Sequence, residues 1–145
     1  MIRANFHTHT TLCDGKNTPQ EMAKAGFDVI IGGHPHMVQT CEYITTTAAD
    51  GTVRSALVVY SLGNFISDQR AQYKDSGIIF DFTIEEQPDG SFKITNPTYI
   101  PTYVWRYQDG EKDAIRVLAC GEWLEEKPSG MSDEDYDRLK KIWND

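Results

Sequence analysis

A short helix enclosed by two strands near the start of the chain constrains the fold more than any other feature. The segment from Ile2 to Thr10, rich in β-branched and aromatic residues, predicts a strand, and the apolar run from Asp28 to Ile31 predicts a buried one. Between them, Thr18-Pro19-Gln20-Glu21 has the residues of a capped helix start, and Gly26 suits the helix end. Such a helix is a right-handed crossover, so the two strands should be parallel neighbours.

From about Cys41 onward the sequence predicts mainly strands. Asp50-Gly51 indicates a hairpin between two strands, and residues 78–85 alternate in polarity like a half-buried strand. Tyr99, Pro101, Tyr103, Trp105 and Tyr107 would share one face of a further strand, which Pro101 makes an edge or irregular strand. Residues 114–120 predict one more strand, and Ser132 caps a final helix.

Charge and composition exclude several functional classes. The chain has 14 Lys and Arg against 22 Asp and Glu, a net charge of −8, which argues against non-specific binding to nucleic acid or to anionic membranes. No apolar run approaches the length of a transmembrane helix, and the first ten residues do not resemble a signal peptide. The three cysteines are odd in number and lack C-x-x-C spacing, so reduced thiols are expected.

All four histidines occur in two H-x-H pairs, His7 with His9 and His34 with His36. In an extended segment, residues i and i+2 point to the same side, so both imidazoles of a pair can reach one ion or two adjacent ions. Pro35 favours an extended His34 and should keep the second pair aligned. Each pair lies at the carboxyl end of a predicted strand, where open α/β sheets bind ligands. A metal site is favoured over two solvated polar pairs.

Asp14 offers a carboxylate ligand beside these histidines, although an ordinary turn aspartate before Gly15 explains it equally well. A mixed histidine and carboxylate site suits Zn²⁺, Mn²⁺ or Fe²⁺. Cys13 is adjacent and could also bind the metal, but a small buried thiol is the preferred interpretation of that residue.

Residues from about 26 to 69 resemble the capsule-synthesis CapA family, a branch of the calcineurin-like metallophosphoesterases. The resemblance rests on Gly32-Gly33-His34-Pro35-His36, followed by Tyr60-Ser61-Leu62-Gly63-Asn64-Phe65. It implies that His34 and His36 are ligands of a two-metal centre. It also implies that His36 and Asn64 are the candidate catalytic residues, since a histidine near the metals can protonate the leaving group. An ordinary turn asparagine is the simpler interpretation of Asn64.

Residues 3 to about 23 resemble the opening motif of the PHP family, which includes histidinol-phosphatase enzymes. The matching residues run from Asn5 to Thr11 and from Asp14 to Pro19. This resemblance implies that His7 and His9 are metal ligands and that Asp14 lies at the metal site. A complete PHP site needs more histidines than the chain has.

The fold class expected is therefore α/β and β-rich. It would be a partial calcineurin-like metallophosphoesterase, the C-terminal half of an α/β/β/α sandwich, with an N-terminal βαβ unit. Residues 1–145 would form one domain, with a PHP-like segment at 1–25 and a CapA-like part at 26–145. The first half of the calcineurin-like pattern, with its Asp-x-His, Gly-Asp and Gly-Asn-His motifs, is missing. The chain thus looks like a fusion or an internal deletion.

The function expected is metal-dependent phosphoester hydrolysis or a related role in capsule-polymer synthesis, with a phosphoester or capsule polymer as substrate. Three alternatives stay open: a catalytically inactive metal-binding remnant or partner-dependent fragment, a PHP-type phosphatase fragment, and a sugar-binding module on the aromatic face of residues 99–107. A homo-oligomer is left open as well. CapA-like proteins typically work at the cell envelope, but the compartment of this chain is not predicted.

Overall fold

The computed structural model describes residues 1–145 and shows a strand-rich α/β protein with two sheets. The first sheet has the order β1-β2-β4-β3 and comprises β1 (Ala4–Thr8), β2 (Val29–Gly32), β3 (Cys41–Thr47) and β4 (Val53–Val59). β1 and β2 are parallel neighbours, as the crossover helix predicts, and β2 is also parallel to β4. β3 and β4 form the expected antiparallel hairpin.

The crossover helix α1 (Pro19–Lys24) begins and ends where its sequence predicts. The Thr18 hydroxyl accepts a hydrogen bond from the Glu21 backbone N–H, and Glu21 in turn accepts one from the Thr18 N–H, a complete capping box. Gly26 follows the helix with a φ of 102°, a left-handed conformation that suits glycine. These local contacts fix the length of the connection and therefore the spacing of β1 and β2.

The second sheet is antiparallel, with the order β5-β6-β7. Its strands are β5 (Ser76–Glu86), β6 (Phe92–Asp109) and β7 (Lys112–Ala119), followed by a short 3₁₀ helix (Cys120–Trp123) and the helix α2 (Asp133–Asn144). Ser132 caps α2 as predicted. None of the helices combines the length and the apolar character needed to cross a membrane.

Pro101 lies within β6, which is the central strand of this sheet rather than an edge strand. Proline is tolerated there because β7 pairs with β6 only from Thr102 onward, so the β7 side is unpaired at Pro101 itself. The prediction of an edge strand is thus correct for the residues before Thr102, which lack a partner on the β7 side, and wrong for β6 as a whole.

The aromatic row on β6 is largely core packing. Tyr103 and Trp105 are only 4% and 3% exposed and pack against Leu139 of α2. Tyr107 stacks on Trp105 with ring centroids 4.6 Å apart, and the Arg116 guanidinium lies over both rings. The buried rings cannot form a continuous stacking platform for a sugar, so the sugar-binding alternative loses its support.

The two faces of the four-stranded sheet are covered by different layers. Ile30 and Val58 point to α1, where Ala23 is fully buried, whereas Val29 and Val59 point to the second sheet. This alternation explains why β2 reads as a continuous apolar run, since both of its faces are buried.

The second sheet contacts the first sheet and α2 with the same face. Phe80 packs against the first sheet, whereas Tyr103 packs against α2. Phe80 pairs with Tyr99 and Ser76 pairs with Tyr103, so the alternation of side chains places Phe80 and Tyr103 on one face. The helix α2 therefore does not add an outer fourth layer, which differs from the expected α/β/β/α order. The α/β, strand-rich class agrees with the expectation.

One ion pair joins α2 to the start of β5. The Arg138 guanidinium donates two hydrogen bonds to the Asp75 carboxylate, at 2.8 and 2.7 Å, with both side chains more than four-fifths buried. Burial raises the pKa of Asp75, but the hydrogen bonds and charge of Arg138 outweigh it, so the net pKa lies below the ordinary value.

Candidate metal site at the edge of the four-stranded sheet

The carboxyl ends of β1 and β2 bring three histidines together. Thr8 pairs with Gly32 at the ends of the two parallel strands, so His9 and His34 leave the sheet at the same edge. The rings of His9 and His34 have centroids 5.0 Å apart and meet edge to face. His7 lies within β1, and its Nε2 atom is 3.2 Å from His9 Nε2.

Asp14 lies against these histidines because the loop after His9 folds back. The Cys13 and Gly15 backbone N–H groups both donate to the Thr10 carbonyl, at 2.9 and 3.0 Å. A Cβ atom at Gly15 would lie 2.2 Å from the His9 carbonyl oxygen, so only glycine permits this approach.

The Asp14 carboxylate forms a hydrogen bond with His9 Nδ1, and the same oxygen lies 3.5 Å from His34 Nδ1. The bond with His9 lowers the pKa of Asp14 most, desolvation opposes it, and the charge of His34 adds a weaker lowering, so the net pKa lies below the ordinary value. The side chains of Asp14 and His34 are 64% and 44% exposed, so an ion can reach them from solvent.

Cys13 belongs to the same group of potential ligands. One ligand atom each from His9, Cys13, Asp14 and His34 lies within 4.8 Å of all the others. Cys13 is exposed, so the expectation of a small buried thiol is wrong. The tight turn after β1 turns its side chain toward the histidines instead of into the core. The sequence offered Cys13 as a ligand through its adjacency to Asp14, although the buried thiol was the preferred interpretation.

His36 does not belong to the cluster of potential ligands. It follows the Gly33–His36 turn, closed by a hydrogen bond from the His36 N–H to the Gly33 carbonyl, and it has a left-handed φ of 57°. Pro35 therefore does not keep the second H-x-H pair aligned, because a turn replaces the extended backbone that the alignment needs.

His36 is instead oriented by Asn64. Its Nδ1 atom donates to Asn64 Oδ1 at 2.9 Å, while Asn64 Nδ2 donates to the Lys74 carbonyl at 2.9 Å and to Gln69 Oε1 at 3.1 Å. The bond to the Lys74 carbonyl fixes the amide orientation, so the amide oxygen faces His36. Asn64 is only 7% exposed. It leaves His36 Nε2 as the nitrogen available to a ligand or substrate.

A cavity of about 370 Å³ opens beside the cluster, and Asp14, His34 and Tyr60 contribute to its wall. The Tyr60 hydroxyl donates to Glu42 Oε1 at 2.7 Å, and this bond together with burial raises the pKa of Tyr60 to about 12. Tyr60 therefore stays protonated near neutral pH and is a polar wall rather than a base.

The donor set at this edge fits a divalent transition metal. It combines imidazole nitrogens, one carboxylate and one sulfur, a mixture that suits zinc, iron or manganese more than magnesium or calcium. Fold and site together describe a strand-rich α/β protein with a candidate metal centre at the carboxyl edge of parallel strands.

Comparisons with known proteins find partial similarity to capsule-synthesis proteins. A family model described as "Bacterial capsule synthesis protein PGA_cap" matches residues 8–69, less than half of the chain. The "PGA biosynthesis protein CapA" of Bacillus subtilis (strain 168) is 35% identical over 75 residues, which are 51% of this chain and 17% of that protein. The "Capsule biosynthesis protein CapA" of Bacillus anthracis is 33% identical over 73 residues, 46% of this chain and 16% of that protein.

The chain thus spans about a sixth of the length of these relatives. No solved structure matches it, so the calcineurin-like assignment gains no support from structural neighbours. The matched region begins at residue 8, inside the segment that resembles the PHP family, and the PHP resemblance gains no support from the comparisons. The similarity to capsule proteins therefore includes His9, Asp14, His34, His36 and Asn64.

Proposed function

We propose that this chain acts in capsule biosynthesis as a CapA-type protein or a part of one, and that its metal site hydrolyses a phosphoester. The observation that carries the proposal is the convergence of His9, Asp14 and His34 at one sheet edge, within the residues matched by the capsule-synthesis family. The substrate would be a phosphoester, a capsule polymer or a precursor of one.

In this proposal His9, Asp14 and His34 hold the metal, with His7 beside them. A bound divalent metal would polarise the phosphate oxygens and lower the pKa of a water molecule. The cavity beside the cluster would receive the substrate. Asn64 holds the His36 ring through Nδ1, so a doubly protonated His36 would give its Nε2 proton to the leaving group and return to the neutral form.

The charge of the cluster favours one metal rather than two. Asp14 is the single carboxylate in the group, and two cations a few ångströms apart need more anionic charge to offset their repulsion. We therefore expect slow hydrolysis from the isolated chain.

A second candidate function follows from the length of the match. Because the chain spans only 17% of its B. subtilis relative, the residues that complete catalysis would lie in another chain or another segment. The chain would then bind metal without turnover. Metal binding with hydrolysis near background favours this candidate over the first.

The test is hydrolysis of a p-nitrophenyl phosphate ester with added Mn²⁺ or Zn²⁺. Asp14→Ala and the double variant His34→Ala/His36→Ala should each lower turnover by about 100-fold, the usual loss when a catalytic group is removed. Asp89→Ala is the matched control, since Asp89 is an exposed turn aspartate whose carboxylate bonds only to Ser91. Turnover that survives both site changes would place the activity elsewhere.

A further inference from the structure

The sulfur of Cys13 is held in position by its own turn. The Thr10 backbone N–H points to Cys13 Sγ at 3.3 Å, while the Cys13 N–H donates to the Thr10 carbonyl at 2.9 Å. Thr10 is 9% exposed, so this turn is anchored in the protein. The Cys13 thiol also lies 3.3 Å from the Thr10 carbonyl oxygen, so the turn fixes the sulfur from two sides.

The other donors approach the same region. His9 Nδ1 and His34 Nδ1 both face the same Asp14 oxygen, and Cys13 Sγ lies within 4.8 Å of the ligand atoms of all three residues. Tetrahedral zinc bonds to nitrogen, oxygen and sulfur at about 2.0–2.3 Å, which places its ligand atoms within roughly 4 Å of one another. Small side-chain rotations of these exposed residues would close the group around one ion.

His7 contacts His9 but lies outside the group of four potential ligands named above. Because His9 Nδ1 faces Asp14, the other ring nitrogen, His9 Nε2, faces His7 at 3.2 Å. A metal-ligating histidine is commonly oriented through its second nitrogen. His7 is then a positioning residue for the His9 ring, outside the set of ligands.

We propose that Cys13 is the fourth ligand and that the site is a zinc site with two histidines, one cysteine and one aspartate. Zinc binding forms the metal–sulfur bond, and the thiol proton passes to solvent. The soft sulfur selects zinc over manganese, which prefers oxygen. This inference rests on the metal site of the proposed function and adds the identity of its metal and its fourth ligand.

The test is cobalt substitution followed by absorbance. The reduced, metal-free protein is titrated with Co²⁺, whose bond to a thiolate gives a near-ultraviolet charge-transfer band and whose tetrahedral sites absorb strongly in the visible. The wild type should show both signals, and Cys13→Ser should lose the charge-transfer band. Cys41→Ser is the matched control, since Cys41 is also exposed but lies outside the cluster.

Zinc affinity, measured by competition with a chelator, should fall by about 100-fold or more in Cys13→Ser, at least as much as for loss of an outer partner of a ligand. Cobalt bound without a charge-transfer band, or a band that persists in Cys13→Ser, overturns the inference, as does a wild type that binds no metal.

Hydrolysis measured on the same samples separates the two proposals. A cysteine-dependent band without turnover keeps the zinc site and rejects the phosphoesterase function. Metal-dependent turnover without the charge-transfer band keeps the phosphoesterase function and rejects the zinc site with Cys13.

Discussion

The two H-x-H pairs have the same spacing and opposite outcomes. His7 and His9 end an extended strand, and their nitrogens lie 3.2 Å apart. His34 and His36 flank a proline in a turn, and only His34 joins the cluster, while His36 bonds to Asn64. Spacing brings two imidazoles together only where the backbone is extended. The four histidines thus divide into three that gather at the candidate metal site and one, His36, that Asn64 orients separately.

The largest expected effect is a difference in zinc affinity between the His34→Ala and His36→Ala variants. His34→Ala should lower zinc affinity by about 100-fold or more, since loss of even an outer partner of a metal ligand costs up to that amount. His36→Ala should change zinc affinity by less than about tenfold, because the ring is bonded to Asn64 and stands outside the cluster. Isothermal titration calorimetry measures both. Equal losses in the two variants would mean that His36 turns to the metal and that the division is wrong.

The Asp14 turn can be broken without touching a ligand. In Gly15→Ala, the new methyl group would overlap the His9 carbonyl, so the turn must move and carry Asp14 away. We expect a loss of stability of about 1–3 kcal/mol and a loss of zinc affinity of about tenfold. Thermal denaturation and zinc titration give the two quantities.

Gly33→Ala is its control. Gly33 lies beside His34, but a Cβ atom there meets nothing within 4 Å. Its stability should stay within about 0.5 kcal/mol of the wild type. An equal effect of both changes would mean that the close contact at Gly15 is not what places Asp14.

Asn64→Ala tests whether Asn64 orients His36 separately from the candidate metal site. It leaves the Lys74 carbonyl and His36 Nδ1 without their partner, which should destabilise the protein by about 1–3 kcal/mol. Zinc affinity should be unchanged, and any metal-dependent turnover should fall because His36 is no longer oriented. Chemical denaturation paired with zinc titration checks this. A clear loss of zinc affinity would show that the two groups are coupled.

The smallest effect concerns the ion pair between Asp75 and Arg138, which joins α2 to the start of β5. The folded-state pKa of Asp75 is depressed, so its bond with Arg138 contributes fully above the unfolded value of about 3.9 and is lost as the pH falls through the folded value. Stability should therefore drop by roughly 1 kcal/mol below about pH 4 on account of this pair, and be flat with respect to it above about pH 5.

Urea denaturation at several pH values measures the dependence, and Asp75→Asn should remove that component. A variant with the same acid response as the wild type would exclude the pair as its source.

The sequence predicts best what short-range contacts decide. The capping box at Thr18, the glycine that ends α1 and the cap at Ser132 depend on neighbours a few residues away, and all three agree with the structure. The parallel pairing of β1 and β2 follows from the helix between them.

What the sequence did not predict depends on distant residues. His36 takes its orientation from Asn64, 28 residues away, and the side chain of Cys13 faces the histidines only because the turn folds back on His9. The central position of β6 depends on β7, which pairs with only its second half. None of these relations leaves a periodic signal in the sequence.

The two sheets also differ in the sequence separation of their paired strands. We expect this difference to set the order in which the sheets form. The second sheet is a simple meander of neighbouring hairpins, whereas the edge that carries the histidines requires parallel pairing across crossovers. Local pairings form faster than distant ones, so this edge should form last. Trp105, Trp123 and Trp143 all lie in β6 or beyond. Tryptophan fluorescence should therefore report completion of the meander before cobalt absorbance reports the histidine edge, and simultaneous stopped-flow signals would contradict that order.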